Sequence, residues 1–224
     1  MNQSAKHARS SVRDTPKRGR ALDERIFLGT VVFSAVAILA VIILANVRKR
    51  RAEPLREYRQ VAAFQLTERS GRVVSREELN GKIVVVNFFF GACSAQCQVL
   101  SQRMAEVQRL TADMDDVLLV SITVDPRSDT PEALTRYANR INASTNRWLF
   151  LTGEKKVIYP LIQDSFLQPV AKASDLPSAF NSGFIHSEKI ALVDRHVVVR
   201  AYYEGMEAQA TQKIMQGIHR LRME

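Results

Sequence analysis

Twenty-two consecutive residues without a charge, Ile26 to Val47 (IFLGTVVFSAVAILAVIILANV), constrain this 224-residue chain more than any other feature. A bilayer core takes about 20 apolar residues as a helix. Buried core helices of soluble proteins rarely run this long without a polar face. A cleaved signal peptide has an apolar region of about 7–15 residues that ends at a small-residue site. Here the run is longer and ends in Arg48-Lys49-Arg50-Arg51. The expectation is one retained transmembrane helix over 26–47. Residues 1–25 are polar and basic with no apolar periodicity and read as a disordered tail. Residues 48–62 read as a juxtamembrane linker, and 63–224 as one folded domain of ordinary size.

The formal charge of +9 invites a nucleic-acid reading, and its location argues against one. Residues 1–25 carry +4, residues 48–60 carry +4, and residues 61–224 carry nineteen Lys/Arg against eighteen Asp/Glu. A nucleic-acid-binding domain presents a basic face; this domain is near neutral, so no nucleic-acid partner is expected. Both ends of the apolar run are basic, so the positive-inside count alone does not orient it.

Beyond the linker the pattern alternates strand and helix. Phe64–Thr67 is a short alternating strand, with Val73–Ser75 its partner across a turn at Gly71, and Ser75–Leu79 resembles a capped helical turn. Ile83–Phe90 is a near-continuous apolar run, as strands buried on both faces are. After Gly91 a helix starting near Cys93 carries Leu100, Met104, Val107 and Leu110 on one face. Val117–Val124 is a second buried strand. Asp129-Thr130-Pro131-Glu132 offers a capping side chain, Pro in the first turn and an acid at the positive end, which predicts a helix to about Asn142. Trp148–Phe150 reads as a strand, 153–162 as a helix, and 164–183 as a loop. Ile190–Val193 and Val197–Tyr202 form a hairpin around Asp194-Arg195-His196, and a last helix covers 207–221. This order predicts an α/β domain, a mixed sheet flanked by helices, and suits a thioredoxin-like fold.

Cys93 and Cys97 are the only cysteines, and they fall where a buried strand gives way to a helix. At i, i+4 on a helix two side chains share a face about 6 Å apart, within disulfide reach and close enough to share one metal ion. A helix N-terminus favours thiolates. These are the nucleophiles of disulfide exchange and the soft ligands that select copper(I) or zinc. The plainer reading is a structural disulfide or two inert thiols; a disulfide closing so small a loop restrains little of the unfolded chain. A metal needs a third ligand. His7 lies in the tail, His196 in the hairpin turn, and His219 beside Arg220 and Arg222, all three reading as solvated. His186 follows the Pro/Gly-containing loop and immediately precedes a strand, a junction that can bring it beside the cysteines.

Three segments together resemble the Sco (SenC-type) family of membrane-anchored, thioredoxin-like copper proteins: FFFGACSAQC with its CxxxC spacing, SITVDPRSDTPEAL from Ser121, and WLFLTG from Trp148 followed by the late histidine of GFIHSEKIALVD. FQLTERSG and LNGKIVVVNF match the family's lead-in. The likeness spans about 63–205 in consistent order. It implies that Cys93, Cys97 and His186 ligate copper as Cu(I), or as Cu(II) with the same set. Asp125 and Asp129 match the family's DPxxDTP segment and read as structural, Asp129 as a helix cap and Asp125 as a turn residue near the site. The implied role is to deliver copper to the CuA-bearing subunit of cytochrome c oxidase, or to keep that centre's cysteines reduced. Another copper chaperone or a thiol reductant is implied as a further partner. Residues 1–25 would lie inside and the domain on the periplasmic side, or in the mitochondrial intermembrane space. The chain departs from the family in three places. Ser94 and Gln98 stand where proline usually follows each cysteine, no acid lies between the cysteines, and Ile185 replaces the aspartate before the histidine. Less negative charge there alters thiolate pKa and copper(II) preference.

Two other classes compete with the copper chaperone. A membrane-tethered thiol–disulfide oxidoreductase needs the cysteines as its redox-active pair and dispenses with His186. The CxxxC spacing is wider than the usual CxxC, and Phe90-Gly91-Ala92 lacks the threonine of the peroxiredoxin pattern. An anchored scaffold needs neither cysteine.

Overall fold

The computed structural model describes residues 19–52, 54–91, 96–172 and 184–224, with side-chain surroundings given outside 19–26, 45–52, 96–97, 171–172 and 184–186. The chain forms two compact units that divide after Ala52. The first contains one helix, α1 (Gly19–Ala52). Among the described residues it is the one helix long and apolar enough to cross a membrane; over Phe27–Leu44 its mean hydropathy is 2.8 and none of it is buried. At 1.5 Å per residue the charge-free run is about 33 Å long, close to a hydrocarbon core. The helix overruns that stretch at both ends. Residues 19–25, expected as tail, and 48–52, expected as linker, are helical, as their Arg, Lys, Glu and Ala content permits. Residues 1–18 lie outside the described residues.

The second unit is built on an eight-stranded sheet. In chain order it comprises β1 (Arg59–Gln60), β2 (Gln65–Glu68), β3 (Val73–Ser75), β4 (Ile83–Phe89), α2 (Gln96–Leu110), β5 (Val117–Thr123), α3 (Pro131–Arg140), β6 (Trp148–Thr152), α4 (Lys155–Pro160), β7 (Val170–Lys172), β8 (Phe184–His186), β9 (Lys189–Val193), β10 (Val198–Glu204) and α5 (Ala210–Leu221). The sheet order is β1-β10-β9-β4-β5-β6-β2-β3, and β7 pairs with β8 separately. β4, β5 and β6 run parallel, with Val85 opposite Leu119 and Leu119 opposite Trp148. β9 and β2 flank them antiparallel. This is the mixed, helix-flanked, thioredoxin-like sheet the sequence order predicts.

Strand alternation divides the core between the two faces of the sheet. Val84, Val86 and Phe88 of β4 pack with Ile122, Leu151, Ile162 and Phe166. Ile83, Val85 and Phe89 pack with Leu100, Met104 and Val107 of α2 and Ile214 and Ile218 of α5. Asn87 breaks the apolar run of β4 and is satisfied inside the core. Ser121 Oγ donates to Asn87 Oδ1 at 2.5 Å, and Trp148 Nε1 donates to Ser121 Oγ at 2.8 Å. Leu110, expected on the buried face of α2, is 39% exposed, because Thr111, one turn beyond Val107 and fully buried, takes that place.

Residues 48–62 are not a free linker. Leu55 N donates to Glu224 Oε1, and Arg200 Nη2 donates to Leu55 O. β1 pairs with β10, and Val61 is buried. The folded unit therefore takes hold of the chain by residue 55. Residues 164–183 are likewise not all loop, since β7 pairs with β8 at Val170↔His186; residues 173–183 lie outside the described residues.

Candidate metal centre

β4 delivers the chain to the cysteine segment, and its last rungs are fixed from the neighbouring strand. Phe89 stands opposite Thr123 at the end of the parallel ladder, and Val124 N donates to Phe89 O at 2.8 Å. Gly91 N then donates to both carboxylate oxygens of Asp129, at 3.0 and 3.1 Å. Thr123 Oγ1 donates to the same carboxylate and accepts from Asp125 N. Asp129 is 4% exposed. Burial pushes its carboxyl above the usual range, against the hydrogen bonds from Thr123 and Gly91, and nearby Asp125 adds to the rise.

Asp129 is therefore not the cap of α3. Thr130 is: its Oγ1 accepts from Ala133 N at 3.3 Å, with Pro131 in the first turn. Both side chains have capping chemistry, but Asp129 is drawn across to Gly91 and Thr123, which lie 38 and 6 residues away. Asp125 accepts the turn bonds from Ser128 N and Asp129 N through its carbonyl, the turn role expected of it.

Cys97 falls in the first turn of α2, which opens at Gln96. Cys93 lies outside the described residues, as does the helical i, i+4 geometry expected of the pair. His186 is the last residue of β8, two residues from the start of β9. Because β9 runs antiparallel to β4, with Val84 opposite Val193 and Val86 opposite Ala191, β9 begins at the end of the sheet where β4 finishes. Gly205 adds a second link between these elements. A Cβ on it would stand 2.2 Å from Leu100 Cδ2 and 2.7 Å from Glu188 O. Leu100 lies one helical turn beyond Cys97, and Glu188 lies two residues beyond His186, so the cysteine helix and the histidine connector close on one point. Gly205→Ala is expected to cost about 1–3 kcal/mol by overpacking, read as a lowered urea midpoint of unfolding.

The other histidines stand where the sequence suggested. His196 and His219 are exposed, and His7 lies outside the described residues. Among the described residues no cluster of three or more His, Cys, Asp or Glu forms a rival metal site. Sequence reasoning missed Gly91, Thr123 and Gly205 as parts of the scaffold around the candidate site. Gly91 carried a signal, a glycine directly between an apolar strand and the first cysteine; Thr123 and Gly205 are explained only by contacts distant in sequence.

Residues 52–222 match the SCO1/SenC family model. The chain is 30% identical over 150 residues to the SCO1 protein homolog of Bacillus subtilis (strain 168), covering 66% of this chain and 75% of the relative. It resembles the solved structure of BsSco, a member of the Sco family of cytochrome c oxidase assembly proteins in which a disulfide switch is identified. The TM-score is 0.65 and the identity 26%, over 75% of this chain and 98% of that one. Bradyrhizobium japonicum ScoI with copper bound shares the fold at a TM-score of 0.59 and 23% identity, over 74% of this chain and 99% of that one.

Proposed function

The chain belongs to the SCO1/SenC family, and from that premise we propose that it is a membrane-anchored copper metallochaperone for the CuA centre of cytochrome c oxidase. Copper is its cargo, held by the thiolates of Cys93 and Cys97 and the imidazole of His186. The observation that carries this reading is the closure at Gly205, where the helix holding Cys97 meets the connector that follows His186. Two thiolates and one imidazole form a soft donor set suited to copper(I). The assembly role of BsSco and the copper held by ScoI support the same reading. α1 is the anchor, with residues 1–25 inside and the folded unit on the extracytoplasmic side. The oxidase subunit carrying CuA receives the metal, and another copper chaperone or a thiol reductant supplies the site.

Full-length protein in detergent micelles, reduced and anaerobic, is expected to bind one equivalent of copper(I) in competition with a coloured chelator. His186→Ala is expected to weaken that binding at least about tenfold, since even the outer partners of metal ligands are worth 10–100-fold. Binding indifferent to His186 would remove the basis for the three-ligand site.

The disulfide switch of BsSco favours one second reading, a thiol–disulfide oxidoreductase. In it the reduced pair gives two electrons and two protons to a partner's disulfide and becomes the Cys93–Cys97 disulfide itself. That reading needs no imidazole, so the same His186→Ala variant separates the two.

A further inference from the structure

We propose that the edge of the folded unit at Arg56, Tyr58 and Arg59 is a docking surface for anionic lipid headgroups of the bilayer that holds α1. The inference goes beyond the reading above and rests on it only for α1 as the anchor.

Positive charge is concentrated in this part of the chain. Residues 48–60 hold six Lys/Arg against two Asp/Glu, whereas residues 61–224 hold nineteen against eighteen. The end of that segment is no loose tail. Leu55 is bonded to Arg200 and Glu224, and Arg59 and Gln60 pair with β10, so the side chains are presented from a fixed edge. Arg56, Tyr58 and Arg59 are exposed, Tyr58 by 41%. The Arg56 guanidinium stands 5.1 Å from the centre of the Tyr58 ring, and Tyr58 meets Tyr202 edge-on at 5.0 Å. Among the described residues neither Arg56 nor Arg59 forms an ion pair, while the buried Arg200 beside them is paired with Asp194 and Glu224. Glu57, exposed between them, offsets one of the two charges. A guanidinium matches the geometry of a phosphate, and a tyrosine with an apolar body and a polar tip suits the membrane–water interface.

The chain itself brings this edge to the lipid. Arg56 lies nine residues beyond Val47, the end of the charge-free run. With α1 helical to Ala52 and the next four residues fully extended, that stretch spans at most about 21 Å. The headgroup layer occupies about 5–7 Å of it. A surface too weak to hold a free bilayer is thereby kept at high effective concentration, and anionic lipid strengthens the hold of each nearby Arg about fivefold. An acidic protein face would satisfy the arginines equally, but the bilayer is fixed beside them by the chain.

The test inserts full-length protein, one chain per disc, into lipid nanodiscs of phosphatidylcholine alone or of equal parts phosphatidylcholine and phosphatidylglycerol. Hydroxyl-radical oxidation, located by peptide mass spectrometry, reads how open each side chain is. Tyr58 is expected to be oxidised at least about threefold more slowly in the anionic discs, a docked population of two thirds that two arginines at fivefold each can supply. Val73, 60% exposed on β3 at the opposite edge of the sheet, is expected to react equally in both. Molar salt, which screens beyond about 3 Å, should abolish the difference. The ratio between lipids is the readout, because Arg56 also shades the Tyr58 ring within the protein. Arg56→Gln combined with Arg59→Gln is expected to bring that ratio to one. Arg72→Gln combined with Arg109→Gln removes the same charge elsewhere and is expected to leave it unchanged.

A ratio of one in the parent would overturn the proposal. So would protection that survives the loss of Arg56 and Arg59, or that disappears equally with Arg72 and Arg109. Protection found only in discs carrying two chains would overturn it by assigning the edge to a second copy. A chain that enters both discs and reacts equally fails this proposal alone, whereas one that stays out of them removes the anchor and the proposal with it.

Discussion

Cys93→Ser and Cys97→Ser are each expected to lower the affinity for copper(I) by at least about 100-fold, the top of the range for losing only an outer partner of a metal ligand. Serine nearly preserves the volume, and its hydroxyl keeps its proton at neutral pH. It is also a hard donor where copper(I) prefers a soft one. Either variant would leave one thiolate and one imidazole, a set that still binds weakly but cannot enclose the ion. The effect should exceed that of His186→Ala, because a thiolate supplies charge as well as softness. Chelator competition on the full chain in micelles, run from pH 6 to 8, would check both points. Binding by the parent should tighten as pH rises, since the thiols must lose protons to ligate, and the slope should flatten in either serine variant. A cysteine variant with parent-like affinity would remove that sulfur from the ligand set.

The parts of this fold that were legible in the sequence are those set by local pattern. Ile83–Phe89 is buried at every residue, as its continuous apolar run predicts, and Thr130-Pro131-Glu132 opens α3 where capping chemistry says it should. Three of the misreadings share one cause, contacts made across the chain. Leu55 looks like linker because its partners, Arg200 and Glu224, are 145 and 169 residues away. Val170–Lys172 looks like loop because its strand partner follows fourteen residues later. Asp129 and Thr130 are both good caps, and nothing local says which is free to act as one.

For the candidate site, the sequence supplied the donor types and their order, and the resemblance supplied the ligand set. What it could not supply was the fastening: that Gly205 brings Leu100 and Glu188 together, and that Thr123, the terminal residue of one strand, reaches a carboxylate beyond a turn to hold the entry of another segment. The first depends on the pairing of β9 with β10, where Glu204 stands opposite Lys189, and the second on the parallel register of β4 and β5; both exist only once the sheet is assembled.

The β4–β5 register is spanned by a hydrogen-bond relay that runs from Trp148 on β6 through Ser121 on β5 to Asn87 on β4. Trp148→Ala is therefore expected to destabilise the folded unit by about 3–5 kcal/mol. The side chain is fully buried and stacks on Phe150 at 5.2 Å between ring centroids. Its indole N–H donates to Ser121, which in turn donates to Asn87. Truncation leaves a cavity on the face of the sheet covered by α2 and α5, and it also leaves a buried hydroxyl without its donor. The two losses can be separated. Trp148→Phe keeps one six-membered ring and loses the pyrrole part of the indole with its N–H, so it is expected to cost less than Trp148→Ala, about 1–3 kcal/mol for the unmet hydroxyl together with a smaller cavity. Urea unfolding followed by far-UV circular dichroism reads both, since the chain has a single tryptophan and its fluorescence goes with it. If the two variants lost the same stability, the Trp148–Ser121–Asn87 relay would be holding the three parallel strands together and the stacked ring would contribute little. The gap between the variants measures the packing.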